Sequence, residues 1–180
     1  VRTYTYDDLH RLRTDTTRAG AAGPVTAKIA YTYDEADNLT SKTTTGLAGA
    51  SANTYGYDFA NRLTSWDNGT GAPDALTTYG YDPAGNRTQI GNQVLVYDQR
   101  NRLTAKTQPG QGTTYTYTPR GTRASTAVDD GSSTVTTASE FDAFDQLLTQ
   151  GDTVHAYDGL GRVVTTGPSG GPVATLSYTG

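Results

Sequence analysis

A pattern centred on the dipeptide Tyr-Asp recurs along the whole chain of 180 residues. Complete copies occupy residues 4–14, 31–41, 55–65, 79–89, 95–105, 115–125, 139–149 and 155–165, and a partial copy begins at residue 176. All 13 tyrosines lie within these copies. Such repetition predicts a chain built from similar supersecondary units, each packed mainly against its neighbours.

Each copy contains one aromatic residue, here called the anchor, from which the other positions are counted. The anchor and the residue two positions before it are aromatic in most copies, with a small or polar residue between them, which is the alternation of a β-strand. The chain contains 34 threonines, and both Thr and Tyr favour strands. The anchors are Tyr6, Tyr33, Tyr57, Tyr81, Tyr97, Tyr117, Phe141, Tyr157 and Tyr178.

The residues after the anchor predict a tight hairpin turn. Asp follows the anchor in every complete copy except one, where Thr118 takes its place. The fourth residue after the anchor is always His, Asp, Asn or Gly, which tolerate a positive φ. This combination is typical of a type I turn followed by a G1 bulge. The predicted turn residues are Asp7, Asp34, Asp58, Asp82, Asp98, Asp142, Asp158, Gly85, Gly121 and Gly161.

This turn sets the strand register. The anchor should lie across from the residue six positions later, so that Tyr57 pairs with Leu63. That residue is aliphatic in most copies but is Arg87 or Arg123 in two of them, where we expect the arginine stem to lie along a neighbouring ring.

The loops that join one copy to the next carry a second prediction. The shortest anchor spacings run from Tyr81 to Tyr97 and from Phe141 to Tyr157, and they leave room only for turns at Gly-Asn and Gly-Asp dipeptides. A loop with an odd number of residues is expected there, because a two-residue loop would move the next anchor to the opposite face. Residues 140–149 also fit a helical turn, but the repeat favours a hairpin.

The predicted fold is all-β, with essentially no helix. It is an antiparallel meander of about eight hairpins over residues 1–180, forming a curved or spiralling sheet that is part of an open shell or barrel. A sheet with one packed face and one wet face accounts for the low hydrophobic content of 34%. Open edges and a first residue of Val1 lead us to expect a segment of a longer chain, with neighbours from that chain or from further copies.

Composition argues against several classes of function. Without Cys there is no disulfide, thiolate zinc site or thiol nucleophile. A net charge of −4 argues against nucleic-acid binding, and the chain contains no apolar run long enough for membrane insertion. No Gly-rich phosphate loop supports a nucleotide cofactor.

Candidate catalytic and metal-binding residues have better structural explanations. The acidic group Asp34, Glu35 and Asp37 lies in a predicted turn and lacks the spacing of a calcium loop. His10 occupies the positive-φ position of its turn, and His155 replaces a tyrosine two positions before an anchor. We therefore predict no catalytic, metal-binding or cofactor-binding residues, and assign no enzyme activity.

Units of the form Tyr-x-Tyr-Asp-x-x-Gly-Arg-Leu-Thr resemble the YD repeats of Rhs proteins, Tc-toxin shell subunits, wall-associated proteins and teneurins. The resemblance runs from Tyr4 to Tyr178, with residues 85–88 (GNRT) and 161–165 (GRVVT) matching well and residues 115–125 and 139–149 more degenerate. It implies a β-strip wound into a hollow shell that encloses a C-terminal toxin, or an adhesive surface in the teneurins.

The resemblance does not extend to the self-cleaving protease region of many such proteins, whose motif is Asp-Pro-x-Gly-Leu. Asp82-Pro83-Ala84-Gly85 is followed by Asn86, and the sequence from Asp158 to Gly161 lacks the proline. No protease residues are transferred to this chain.

Three functions follow as hypotheses. The first is a non-enzymatic segment of a secreted or cell-surface bacterial protein, which builds the β-sheet wall of a shell around a toxin or other cargo. The second is a surface adhesion module that binds glycan or protein through exposed rings. The third is a self-assembling extracellular fibre held together by open β edges.

Overall fold

A computed structural model describes residues 1–48 and 52–178 of the protein. Within these ranges all regular structure is β-strand. The chain divides into two compact units, Val1–Gly91 and Asn92–Gly180. The strands of the first unit are β1 (Arg2–Tyr6), β2 (Leu12–Arg18), β3 (Val25–Tyr33), β4 (Leu39–Thr45), β5 (Ala52–Tyr57), β6 (Leu63–Asp67), β7 (Leu76–Tyr81) and β8 (Arg87–Ile90). Those of the second are β9 (Gln93–Tyr97), β10 (Leu103–Gln108), β11 (Gln111–Tyr117), β12 (Arg123–Asp129), β13 (Thr134–Phe141), β14 (Leu147–Gln150), β15 (Thr153–Tyr157), β16 (Val163–Pro168) and β17 (Ala174–Thr175).

Each unit is an antiparallel meander. In the first, every strand from β1 to β8 pairs with the next strand along the chain. In the second, the same holds from β9 to β17. The predicted all-β fold of consecutive hairpins is therefore confirmed, including residues 140–149, which join β13 to β14 and are not helical. A single array over residues 1–180 stays a prediction.

The turns after the anchors have the predicted backbone geometry. In the third hairpin the Asn61 N–H donates to the Asp58 carbonyl, and the Asp58 N–H donates to the Arg62 carbonyl, both at 3.0 Å. Asn61 has a φ of 58°, and Tyr57 pairs with Leu63. The corresponding positive-φ residues elsewhere are His10, Asp37, Gly85, Asn101, Gly121, Asp145 and Gly161.

A second bulge, which the sequence did not reveal, follows each of these turns. In the seventh hairpin Phe141 pairs with Leu147 and Glu140 pairs with Thr149, so that Leu148 has no partner of its own across the strand. The same register shift occurs beside every other anchor of a complete copy. The extra residue shifts the alternation of side chains by one position beyond that point.

This second bulge makes the prediction of odd-numbered loops wrong. Gln150 pairs with Thr153 across the loop, which therefore contains only Gly151 and Asp152. A loop of two residues would reverse the face of the next anchor in a regular ladder, but the bulge at Leu148 has already shifted the alternation once. The anchors Phe141 and Tyr157 consequently lie on the same face.

In each unit the side chains contact mainly those of neighbouring strands, and few of them are enclosed. Among the described residues only Ala75 and Asp15 are buried, and no large side chain is fully buried. On one face Tyr55 pairs with Trp66 as Tyr57 does with Leu63, which places aromatic and aliphatic groups side by side. The low hydrophobic content of the sequence fits such a sheet, since little of it is enclosed on both sides.

The positive-φ position offers a direct test of the turn. Replacing His10, whose φ is 62°, with Val should lower the free energy of unfolding by roughly 1–2 kcal/mol, because a β-branched side chain is crowded in this conformation. The matched variant His10→Gly should leave stability unchanged or raise it by up to about 1 kcal/mol. Urea unfolding followed by circular dichroism measures both, and equal midpoints for the two variants would contradict the turn assignment.

Candidate functional site

The turn aspartates, which directly follow the anchors, hold the hairpin turns closed. Asp58 Oδ1 accepts hydrogen bonds from the backbone N–H groups of Ala60 at 2.9 Å and of Arg62 at 3.0 Å. Asp142 Oδ1 makes the equivalent pair with Phe144 and Gln146. These carboxylates thus accept bonds from amides that the turn leaves without strand partners. The same Oδ1 bond to the residue four positions later is made by Asp7, Asp34, Asp82, Asp98 and Asp158.

The second oxygen of the turn aspartate binds a side chain four residues later. Arg62 Nε donates to Asp58 Oδ2 at 2.8 Å, and Asn38 Nδ2 donates to Asp34 Oδ2 at 3.0 Å. The side-chain bond from Arg62, helped by the turn amides, lowers the pKa of Asp58 below its ordinary value. The bond from Asn38 has the same effect on the pKa of Asp34. Asp82, Asp98 and Asp158 also have lowered pKa values.

The arginine also contacts the next hairpin. The Arg62 guanidinium lies over the ring of Tyr81, the anchor of the following copy, at 4.5 Å from its centre. Such a cation–π contact contributes about 0.5–1 kcal/mol at an exposed site. We call an arginine bound to its own turn aspartate and stacked on the next anchor an inter-repeat clamp. The other clamps are Arg11 with Tyr33, Arg102 with Tyr117 and Arg162 with Tyr178, at 4.8, 4.4 and 4.7 Å.

The hydroxyl of the stacked tyrosine completes the link. Tyr81 Oη donates to the carbonyl oxygen of Leu63 at 2.9 Å. Leu63 is the residue just before the second bulge of the preceding hairpin, where the regular ladder is interrupted. The bond therefore supplies a donor to a carbonyl at the interruption. Equivalent bonds join Tyr33 to Leu12, Tyr57 to Leu39, Tyr117 to Leu103, Tyr157 to Leu147 and Tyr178 to Val163.

Some hairpins contain only part of this arrangement. Phe141 is an anchor without a hydroxyl and cannot donate such a bond. In the sixth hairpin the Thr118 and Thr122 hydroxyls bond to each other at 2.7 Å where other copies have Asp and Arg. Arg87 and Arg123, which occupy the usual leucine position, stack over rings of their own hairpins, Arg87 on Tyr79 at 4.9 Å and Arg123 on Tyr115 at 4.8 Å.

The remaining sequence candidates occupy separate places. Asp34 belongs to its turn, Asp37 pairs with Arg11 at 2.6 Å, and the side chain of Trp66 donates to Asn53. His10 lies in a turn, and His155 pairs with Thr166 in the sheet. Residues 1–48 and 52–178 contain no group of three or more His, Asp or Glu side chains arranged to hold a metal ion. These ranges also contain no helix long and apolar enough to cross a membrane.

Open grooves lie between adjacent turns in each unit. In the first, a groove of 480 Å³ is lined by acidic groups of Asp34, Glu35 and Asp58 together with Phe59. In the second, a groove of 660 Å³ is lined by Arg120, Glu140, Phe141, Asp142, Asp145 and uncharged neighbours. The grooves differ in their lining residues, whereas the clamp recurs from hairpin to hairpin, and the clamp is therefore the candidate functional arrangement.

The clamp arginines were missed as functional residues by the sequence analysis. A usable signal was present, because Arg stands five positions after the anchor in four of the eight complete copies: Arg11, Arg62, Arg102 and Arg162. Asp and Arg at this spacing can be recognised as an ion pair, but the ring that the arginine covers belongs to the next copy.

The tyrosine hydroxyl can be tested alone. Tyr81→Phe removes the bond to the Leu63 carbonyl and keeps the ring under Arg62, so the free energy of unfolding should fall by about 0.5–1.5 kcal/mol. Tyr79→Phe is the matched control, because the Tyr79 hydroxyl bonds to no group in the described part of the chain. Urea titration measures both variants. Equal losses would show that the hydroxyl of Tyr81 has no special role.

Acid should loosen the turns. A turn aspartate whose pKa is lowered on folding contributes stability that is present above its ordinary pKa near 3.8 and is lost as the pH falls through the lowered value. Unfolding midpoints measured from about pH 6 to pH 2 should therefore drop mainly below about pH 4. Asp58→Asn should weaken this dependence more than Asp8→Asn, a change at an exposed turn position. A stability independent of pH over this range would contradict the proposed role of the carboxylates.

The similarity of this chain to known proteins extends over nearly all of the repeats. A search of curated proteins gives no match. A Tc holotoxin pore from Photorhabdus luminescens has a similar fold, with a TM-score of 0.50 and 16% identity, covering 92% of this chain and 12% of that one. TcdB2–TccC3 without its hypervariable C-terminal region aligns at a TM-score of 0.35 and 15% identity, covering 99% of this chain and 14% of that one. This chain thus spans only a small part of the length of these proteins. The family model described as teneurin YD-shell matches residues 2–178, and the chain therefore belongs to the teneurin YD-shell family.

Proposed function

We propose that the chain is a non-enzymatic segment of the β-sheet wall of a shell that encloses a toxin or other cargo. The observation that carries this proposal is the inter-repeat clamp, in which Arg62 binds Asp58 of its own turn and stacks on Tyr81 of the next hairpin. The clamp uses side chains to fasten one hairpin to the next.

The exposure of the sheet supports a wall. Almost no residue among those described is buried, and strand partners are the next strands along the chain within each unit. Contacts restricted to sequence neighbours suit a structure extended by repetition. We propose that the remainder of the same repeat chain, or further copies of it, pairs with the outermost strands.

Family membership supports a shell role for this segment. The structural likeness to the Photorhabdus luminescens Tc holotoxin pore covers 12% of that longer chain, which fits a piece of wall better than a whole container. We accordingly propose that the segment belongs to a secreted or cell-surface bacterial protein and that the enclosed partner is a toxin domain. We propose no nucleic-acid partner and no membrane insertion for this segment.

Exposed rings at the turn tips favour a second candidate, surface adhesion. Phe59 is 111% exposed and Phe144 is 85% exposed, although both are large and apolar. An exposed aromatic ring offers a large apolar contact area of the kind that dominates many binding interfaces. A glycan or protein ligand would then contact the turn tips of either unit. A self-assembled fibre is a third candidate, since β1 pairs within the first unit only with β2.

Protease protection tests the shell proposal in the full-length product that contains these residues. We expect its cargo region to resist digestion in the wild type and to become sensitive in the double variant Arg62→Ala with Tyr81→Ala. Phe59→Ala with Phe144→Ala is the matched control, because both positions lie outside every clamp.

The outcomes separate the candidates. Cargo that is digested as fast in the wild type as after denaturation would overturn the shell. Loss of glycan or cell binding in the Phe59 and Phe144 double variant, with protection unchanged, would establish adhesion. A monodisperse monomer in light scattering at high concentration would overturn the fibre.

A further inference from the structure

The loop between β6 and β7 contains the only Asn-Gly dipeptide of the chain, Asn68-Gly69. Asn68 is half-buried, whereas Gly69 and Thr70 are exposed to water. The Asn68 N–H donates to the Ala75 carbonyl at 3.0 Å, which fixes the backbone at the start of the loop. Because Gly69 has no side chain, its backbone nitrogen is open to approach by the side chain of Asn68.

Polar groups of the same loop converge on the two atoms that would react. Asp67 Oδ1 accepts a hydrogen bond from the Gly69 N–H at 2.8 Å. The carboxamide oxygen of Asn68 accepts two bonds from Thr70, one from the backbone N–H at 3.0 Å and one from the hydroxyl at 2.7 Å. The Asp67 carboxylate is thus hydrogen-bonded to the nitrogen that would act as nucleophile. Two donors of Thr70 are hydrogen-bonded to the Asn68 carbonyl oxygen, which would become negative.

We propose that this loop is a self-modification site, in which Asp67 and Thr70 promote the deamidation of Asn68. Asp67 acts as a general base toward the Gly69 nitrogen. The two donors of Thr70 stabilise the oxyanion that forms on the Asn68 side chain. Since the nucleophile and the carbonyl belong to adjacent residues, the reaction is intramolecular.

The reaction needs no reagent other than water. The Gly69 nitrogen bonds to Asn68 Cγ while its proton passes to the Asp67 carboxylate. The bond from Cγ to the side-chain nitrogen then breaks, and that nitrogen takes the proton and leaves as ammonia. Water cleaves one of the two carbon–nitrogen bonds of the resulting succinimide, which gives aspartate or isoaspartate at position 68.

A loop of the second unit already has the aspartate form of the same arrangement. Asp129 Oδ1 accepts from the Gly131 N–H at 2.9 Å, as Asp67 does from Gly69. Asp130 stands in the position of Asn68, and its Oδ1 accepts from the Ser132 N–H at 2.9 Å. An aspartate product at position 68 would therefore keep the bonds of the loop.

Isoaspartate would have a different effect, because it adds one carbon to the backbone. Gly69 lies so close to Ala52 that a side-chain carbon there would stand 1.6 Å from the Ala52 carbonyl oxygen. A lengthened backbone has little room at this contact. The isoaspartate product should therefore loosen the loop against the start of β5, whereas the aspartate product should not.

The rate of conversion in the folded chain tests the proposal. Peptide mass spectrometry over time follows the mass gain of the amide-to-acid change at Asn68, and ammonia release provides a second readout. We expect faster conversion in the folded protein than in the same chain in urea. Asp67→Asn keeps an oxygen that can accept from Gly69 but removes the base, and should slow conversion at least about tenfold. Thr70→Val removes the hydroxyl donor and should slow it by a smaller factor.

Thr70→Ser is the matched control and should convert at close to the wild-type rate. Circular dichroism of each variant establishes that the sheet is intact, and Asn68→Asp shows whether the aspartate product folds normally. An unchanged rate in both Asp67→Asn and Thr70→Val would overturn the proposal. Slower conversion in the folded protein than in urea would overturn it as well, since the loop would then protect Asn68.

Discussion

The joining of these hairpins depends on a backbone carbonyl at the point where the strand ladder is interrupted. The second bulge interrupts the ladder just after the residue opposite the anchor, as it does after Leu63, and the tyrosine of the next hairpin donates to the carbonyl of that residue. The interruption of the ladder in one hairpin is thus the place where the next hairpin forms a hydrogen bond. Tyr is suited to this position because its ring packs and its hydroxyl donates.

Charge reinforces this connection without a buried core. Arg102 binds Asp98 of its own turn and stacks on Tyr117 of the following hairpin, so that one guanidinium serves two hairpins. The planar, always charged arginine head can bind a carboxylate along its edge and cover a ring with its face, which lysine cannot do equally well. In the first hairpin Arg11 also reaches Asp37 of the second turn, which adds a direct ion pair between the turns. Each contact is modest, and their value lies in their repetition.

Local chemistry explains which parts of the fold were predictable. The pairing of Tyr57 with Leu63 and the positive φ of Asn61 follow from residues within a single turn, which the sequence shows side by side. The second bulge was hidden, because the residue at that position is most often Thr, as at Thr64, and Thr is typical of a regular strand. The clamp was hidden for another reason: comparing copies by position shows what they share and not how one copy contacts the next.

Each hairpin is bound to its immediate neighbours, and this determines how such a chain can change in length. Tyr33 bonds to the hairpin before it, and Arg62 to the hairpin after it, but neither depends on a distant partner. A whole hairpin can therefore be duplicated or deleted in the interior of a unit, provided that the new neighbours offer a carbonyl and a ring. A protein with a shared central core has no such freedom, because a change of that size would empty or overfill it. The degenerate copies, such as the one anchored by Phe141, are then tolerated links in a series and need not match their neighbours in every contact.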